Sequence, residues 1–587
     1  MDAFSVRTQA LLASVVLAAL ASAVHAQSDH LQCHLIADDL RLKGIVDLTS
    51  PQFGLAPGCK ISRAKYFCVP TAKRVVMATN ARTQTPIVPV PVGGPDPGDR
   101  ICYVVKCPAV TLPDREVTDQ FGTRSMRRFR PPTLLCTPAV KVQPGGCGGP
   151  VEPGDPPAIS CPGGIAVIPG GSIVTSQTWP ASCEIRLSGL VEVAAGVVVK
   201  IQPGTVIKGV KGASPVAALV FLQDSIIDAN GTADCPIVFT SNQDPGLRAS
   251  GDWGGLTIDG RASVNFPSPI TDPFGNPFGG SNDANSSGIL HYVRIEFAGM
   301  QFTPDVSTSG LDLNGVGSLT QIDHVQSHMA KVDAFNIQGG TVHASHLVAT
   351  AAGRASVDWQ LGYTGALQFV YTTQLGGNVL PAPPDNGLEG DNSEFNFDAF
   401  PRSDPRLCNV TLIGARGQAG PAVTAYGALF RRGMIGRVAN SIIFNMITAG
   451  EQLRDVVTAN LACGPGPSLT GALNVQNSLF FGNGPGGAVE CLVDPSTTGA
   501  NCDSCSLLGL WTTQLTAPSS ITTDPGFPAA TGTVWPPIEP IPGAVATSTA
   551  FDCATLDPSL ETTNYIGAFA PGAPSWLTTP WIAYDPS

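Results

Sequence analysis

The sequence predicts an all-β chain whose long middle winds into a right-handed parallel β-helix, a solenoid. A small disulfide-containing β-rich domain precedes it, and an irregular C-terminal cap follows. Three observations predict this. Short runs of β-branched and apolar residues recur between turn residues, as at 187–193, 197–201, 218–222, 237–240 and 256–258, with scarcely any helical spacing. An apolar residue leading to His, Asn or Gln recurs at His291, His324, His346, Gln368, Asn409, Asn440 and Asn477, in steps of 33, 22, 22, 41, 31 and 37 residues. The shortest step fits one coil of three short strands, and the longer ones fit coils carrying an inserted loop. Composition agrees, with 65 Gly, 52 Pro and only 13% charged residues.

Taken from the N-terminus, residues 1–26 read as a signal peptide: Arg7, an apolar run at 10–21, then Val24, His25 and Ala26 as a small-residue cleavage site. The apolar run is too short to span a membrane, which predicts a soluble protein, secreted to the cell surface, the extracellular space or the periplasm. All 16 cysteines follow Ala26, an even number that suits disulfides in an oxidising compartment. Cys502 and Cys505 form a Cys-x-x-Cys pair with no second pair or histidine nearby, so a disulfide role outranks zinc or redox chemistry. A net charge of -12 argues against nucleic acid, whose phosphates need clustered Lys and Arg.

Residues 27–142 contain an internal duplication. Gln52, Phe53 and Gly54 fall 68 positions before Gln120, Phe121 and Gly122, and Cys68, Pro70 and Lys73 fall the same distance before Cys136, Pro138 and Lys141. Two modules, each opened and closed by a cysteine, suggest the pairs Cys33 with Cys68 and Cys102 with Cys136. Residues 143–158 read as a Pro/Gly linker around a lone Cys147. The helix is expected over 159–493. Residues 494–587 lose the period and gain Pro and Thr, as a cap shielding open strand edges would.

The recurring His, Asn or Gln suggests a ladder, because equivalent positions on successive coils lie about 4.8 Å apart and can stack or hydrogen-bond. His291, His324 and His346 also suggest zinc. The series continues into Gln and Asn, which favours a ladder.

Two segments resemble known families. Asp119-Gln120-Phe121-Gly122 followed by Leu134-Leu135-Cys136-Thr137-Pro138 resembles a small cysteine-containing module of exported bacterial proteins. Gly251-Asp252-Trp253-Gly254-Gly255-Leu256, preceded by Cys235-Pro236-Ile237-Val238-Phe239-Thr240-Ser241, resembles the signature of exported bacterial right-handed parallel β-helix proteins. The likeness continues through Gly339-Gly340-Thr341, Gly362-Tyr363-Thr364-Gly365, Gly387-Leu388-Glu389-Gly390-Asp391-Asn392 and Arg431-Arg432-Gly433. It implies fold and location rather than chemistry. Where that family carries a run of aspartates, this chain has Arg354 and, from the run, Asp358 alone.

Parallel β-helices often bind or cleave polysaccharides along one face. The Gly-His-Gly of polygalacturonase-like hydrolases does not occur, and the Asp38-Asp39 pair lies before the helix. Ile322-Asp323-His324 echoes a pectate-lyase tripeptide, inside the ladder. The densest constellation is Glu389, Asp391, Glu394 and Asp398 with Phe395, Phe397 and Phe400 interleaved. Those carboxylates suggest a Ca²⁺ site, the one cofactor the sequence offers, and the aromatic rings, with Trp359, a sugar-stacking surface. A solvated loop is the plainer reading. The sequence therefore points to a non-catalytic exported structural, adhesive or glycan-binding protein. The alternative is a polysaccharide lyase or glycoside hydrolase acting on an acidic polysaccharide through Arg354, Asp358 and Asp391.

Overall fold

A computed structural model of the chain describes residues 30–35, 43–50, 54–71, 100–108, 115–119, 122–126, 132–138, 147–149, 151–267, 269–374, 386–416, 424–463, 472–485, 487–492, 524–527, 541–543, 546 and 551–584. Residues 1–26, expected as a signal peptide, and the pair Cys502 and Cys505 lie outside the described residues. Two compact units divide the chain, Met1–Pro144 and Gly145–Ser587.

The first unit is a five-stranded sheet in which Gly54–Thr71 pairs antiparallel with His30–Leu35, Lys43–Ser50 and Arg100–Lys106. Leu134–Pro138 pairs with Arg100–Lys106 on the outside. Cys33 stands opposite Cys68, and Cys102 opposite Cys136, and each facing pair is disulfide-bonded. A third bond joins Cys59 to Cys107. The matching glycines Gly54 and Gly122 each open the returning strand of a hairpin, against Ser50 and Asp119.

The second unit is a parallel β-helix. One face, the front sheet, has 11 strands running from Gly171–Ile173 to Gly487–Leu492, each paired in parallel with the equivalent strand one coil on. Alternation along these strands sends every second side chain inward. Leu256, Leu311, Phe335, Val357, Leu388 and Ala428 form one buried column, and Phe221, Ile258, Leu313, Ile337 and Trp359 form its neighbour. On the next coil Gly390 follows Trp359. A Cβ there would lie 2.5 Å from the indole, so only glycine leaves room for it.

Apart from two short hairpins, Ile270–Thr271 with Pro277–Phe278 and Met300–Thr303 with Val306–Thr308, the remaining strands form a 16-stranded bent sheet. Its strands turn a corner at one residue in the left-handed region: Tyr292, His324, His346, Phe369, Asn409, Asn440 and Asn477, with φ between 48° and 56°. This corrects the ladder expected from the sequence. His291 and Gln368 stand one position before the corner, aligned with Asp323, Ser345 and Cys408, and Tyr292 and Phe369 take their places in the column. The column is aromatic in its first half. Successive ring centroids from Tyr292 through His324 and His346 to Phe369 are 4.4, 4.1 and 4.7 Å apart. Its second half is amide. The sequence spacing could not separate adjacent polar positions, because a one-residue slip changes which side chains share a column.

Residues 551–584 run back along this corner. Asn409 Nδ2 donates to the carbonyls of Tyr565 and Gly567, Asn440 Nδ2 to Phe551, and Gln326 exchanges both its amide bonds with Ala583. Trp576 and Trp581 make T-shaped ring contacts with His346 and His324, and Cys408 is bonded to Cys553. The cover is lateral, along the flank. At the other end, the Pro/Gly stretch is pinned to the first coils by a Cys147–Cys235 disulfide and a 2.6 Å ion pair between Asp155 and Lys200. Among the described residues no helix is long and apolar enough to cross a membrane.

Candidate functional site

Over the middle coils the outward positions of the front sheet are polar, between Val220 and Leu429 in the same column. Thr257, Asp312, Asn336, Asp358 and Glu389 stand in one column, and Asp259, Asn314, Gln338, Gln360, Asp391 and Arg431 stand beside it. The signal for them lies in the sequence: Leu-Asp-Leu-Asn at 311–314, Phe-Asn-Ile-Gln at 335–338, Val-Asp-Trp-Gln at 357–360 and Leu-Glu-Gly-Asp at 388–391. Each is an alternating strand with an acid or amide outward.

Arginines tie this column together. Arg354 grips Asp333 with two nitrogens, Nε at 2.8 Å, and reaches Asp358 at 3.2 Å. Arg431 spans Asp391, at 2.7 Å, and Glu389, while Arg432 holds Asp391 at 2.6 Å and Glu394 at 3.4 Å. Of the predicted residues, Arg354, Asp358, Glu389 and Asp391 are thus brought together. Asp333, Arg431 and Arg432 complete the lattice. The carboxylates lie beneath, with Asp333, Asp358, Glu389 and Asp391 all buried, and the guanidinium groups above, with 43% of the Arg354 side chain exposed. The charge of Asp333 lifts Arg354 above its usual value, and Asp391 and Glu389 outweigh the effect of burial to do the same for Arg431. Burial, reinforced by Asp333 and Glu389, pushes Asp358 well above the usual carboxylate range, and one of its oxygens is buried without a partner.

Other expected residues fall elsewhere. Trp359 points into the helix and is fully buried, so its ring cannot stack on a ligand. Phe395 is exposed and meets Phe266 edge-on, and Phe397 is half-buried, with its carbonyl accepting from Arg402. Glu389, Asp391, Glu394 and Asp398 do not converge as a calcium cage: the first three are held by Arg431 and Arg432, and Asp398 by Arg402 at 2.6 Å. Carboxylates neutralised by guanidinium have little charge left for a cation.

On the corner flank a different set gathers. His291, Asp323 and His324 place ligand atoms within 4.8 Å of one another, the one group of three or more metal-ligating side chains this close among the described residues. Asp323 also takes His346 Nδ1 at 2.8 Å.

A family model for the pectate-lyase-like β-helix domain matches residues 171–475, more than half of the chain. The chain belongs to this family. No curated protein and no solved structure matches it. The matched pectate-lyase-like domain contains both constellations, the arginine lattice on the front sheet and the histidine group at the corner. Asp333 and Arg431 escape a reading by local density because they reach Arg354 and Glu389 from coils 21 and 42 residues away.

Proposed function

We propose that this is an exported β-helix protein that binds an acidic polysaccharide along the front sheet and does not cleave it. The observation that carries the reading is the arginine lattice. Its solvent side is guanidinium, and Arg354, whose Nε and Nη2 are taken by Asp333 and Asp358, keeps Nη1 to donate to the carboxylate of a uronate. The six disulfides among the described residues suit an oxidising compartment. Against turnover, an arginine held at two carboxylates gives up a proton less readily than a free one, so Arg354 and Arg431 are poor bases. The expected result is salt-sensitive binding of a polyuronate, measured by calorimetry, with a neutral glucan giving none. Binding should weaken about tenfold for Arg354→Gln combined with Arg432→Gln, in protein whose circular dichroism is unchanged. Equal affinity for both polymers would reject the proposal.

Asp358 favours a second reading. A buried carboxyl pushed upward is the form a general acid takes in glycoside hydrolysis. New reducing ends released from the polyuronate by the protein, and lost in Asp358→Asn, would establish hydrolysis in place of binding alone.

A further inference from the structure

The corner flank carries a group that the polysaccharide reading does not use. We propose that His291, Asp323 and His324 bind a divalent transition metal of the zinc class. Their arrangement follows from the strand register. His291 stands opposite Asp323 in adjacent parallel strands, one position before the corner, and His324 is the corner residue that follows Asp323. His291 therefore approaches from outside the stacked column rather than from within it. Stacked rings, such as His324 on His346 at 4.1 Å and 17°, cannot converge on one ion, but an off-column ring can.

The hydrogen bonds orient each group as a ligand. His291 Nδ1 lies 3.1 Å from the side-chain amide of Asn230, and in the tautomer with its proton on Nδ1 the ring presents the Nε2 lone pair outward. That lone pair faces Asp323 Oδ2 at 3.3 Å, another acceptor. Oδ2 also meets His324 Nδ1 at 2.7 Å, so one ion placed among the three atoms would take a ligand from each residue. The separation of Nε2 from Oδ2 also equals the edge of a tetrahedral zinc site, about 3.3 Å when both ligands lie about 2.0–2.1 Å from the ion.

Asp323 is prepared for single-oxygen ligation. Ser345 Oγ and His346 Nδ1 both approach its other oxygen, Oδ1, at 2.7 and 2.8 Å, which leaves Oδ2 to the metal. Such outer partners fix ligand geometry in metal sites. His324 Nδ1, 2.7 Å from Oδ2, would exchange its proton for the ion, so binding releases a proton and weakens as pH falls. Its ring is already held by Tyr292, His346 and Trp581, which limits the ordering that binding requires. His291 and Asp323 are each 36% exposed at the side chain, so an ion and a solvent ligand have access.

The test uses the full mature chain, untagged and stripped with a chelator. Calorimetry with Zn²⁺ should give one site per chain, and Co²⁺ should give the visible absorption of a four-coordinate ion. His291→Ala, at a part-exposed position that leaves the column intact, should weaken Zn²⁺ at least tenfold and bleach the Co²⁺ band. Asp323→Asn should do the same. His346→Gln, which retains a donor near Oδ1 only in part, should weaken binding less than either. Undiminished binding in His291→Ala, or no Co²⁺ band with the wild type, would overturn the assignment. So would an imidazolium signal from His291 at neutral pH that Zn²⁺ leaves unchanged, because a proton would then occupy the place of the ion.

Discussion

Asp312 sits fully buried on the outward side of the front sheet, accepting from the Ser309 backbone N–H at 3.0 Å and from Asn336 Nδ2 at 2.9 Å. Burial outweighs these two bonds and pushes its carboxyl up to about 6. The unfolded chain holds the same group near 3.9. Between those values the native state binds more protons at this group than the unfolded one, so the contribution of Asp312 to stability is largest at and below pH 4 and falls as pH rises to about 6, by roughly 3 kcal/mol, then levels off. Asp312→Asn removes the titration at constant shape, and Asn336 can turn its amide to offer the oxygen that now lacks a partner. Denaturant unfolding at pH 4 and pH 7 should show the variant gaining about 3 kcal/mol on the wild type between the two. A constant difference would mean that Asp312 ionises in the native state as readily as in the unfolded chain.

The corner column and the C-terminal segment stabilise each other, and Asn409 is one of the residues where their bonds meet. Its side chain is completely buried, donates to two carbonyls of the segment, and accepts from Gln368 Nε2 and Thr563 Oγ1, both at 3.0 Å. Its φ of 56° also suits asparagine better than most residues. Asn409→Ala orphans several buried polar groups at once and should cost about 2–4 kcal/mol, while opening residues 551–584 to limited proteolysis before the helix yields. Equal protease resistance would show that the segment is held chiefly by Trp576, Trp581 and the Cys408–Cys553 bond. The strands of this element were legible in the sequence, since alternation and a 22-residue step are local and repeating properties. The column membership was not. Tyr292 and Phe369 read as ordinary aromatics, and only the register shows that their backbone, not their polarity, defines the corner. The arginine lattice was half legible for a related reason: Asp358, Glu389 and Asp391 lie on alternating strands, whereas Asp333 and Arg431 meet Arg354 and Glu389 across coils of unequal length.

At the scale of the whole chain, the two units are stabilised by different means, and this predicts how they unfold. In the first unit the buried apolar side chains among the described residues are Cys59, Ala64, Cys68, Cys102 and Val105, three of the five being cysteines in disulfides. Cross-links restrict the unfolded state of this sheet, each closing a loop of 34 to 48 residues and contributing about 3–4 kcal/mol. The second unit buries continuous columns of Leu, Val, Ile and Phe through successive coils, so its stability grows with coil number and draws on three disulfides only at its edges. Calorimetry on the oxidised protein should therefore show two transitions. With a strong reductant the smaller one should disappear, and the region before residue 144 should become protease-sensitive at 25 °C. The larger transition should persist at a lower temperature, having lost the Cys147–Cys235, Cys161–Cys183 and Cys408–Cys553 bonds. A single transition that shifts as one under reduction would mean that the two units unfold together, and that the cysteine-bonded sheet draws its stability from the helix.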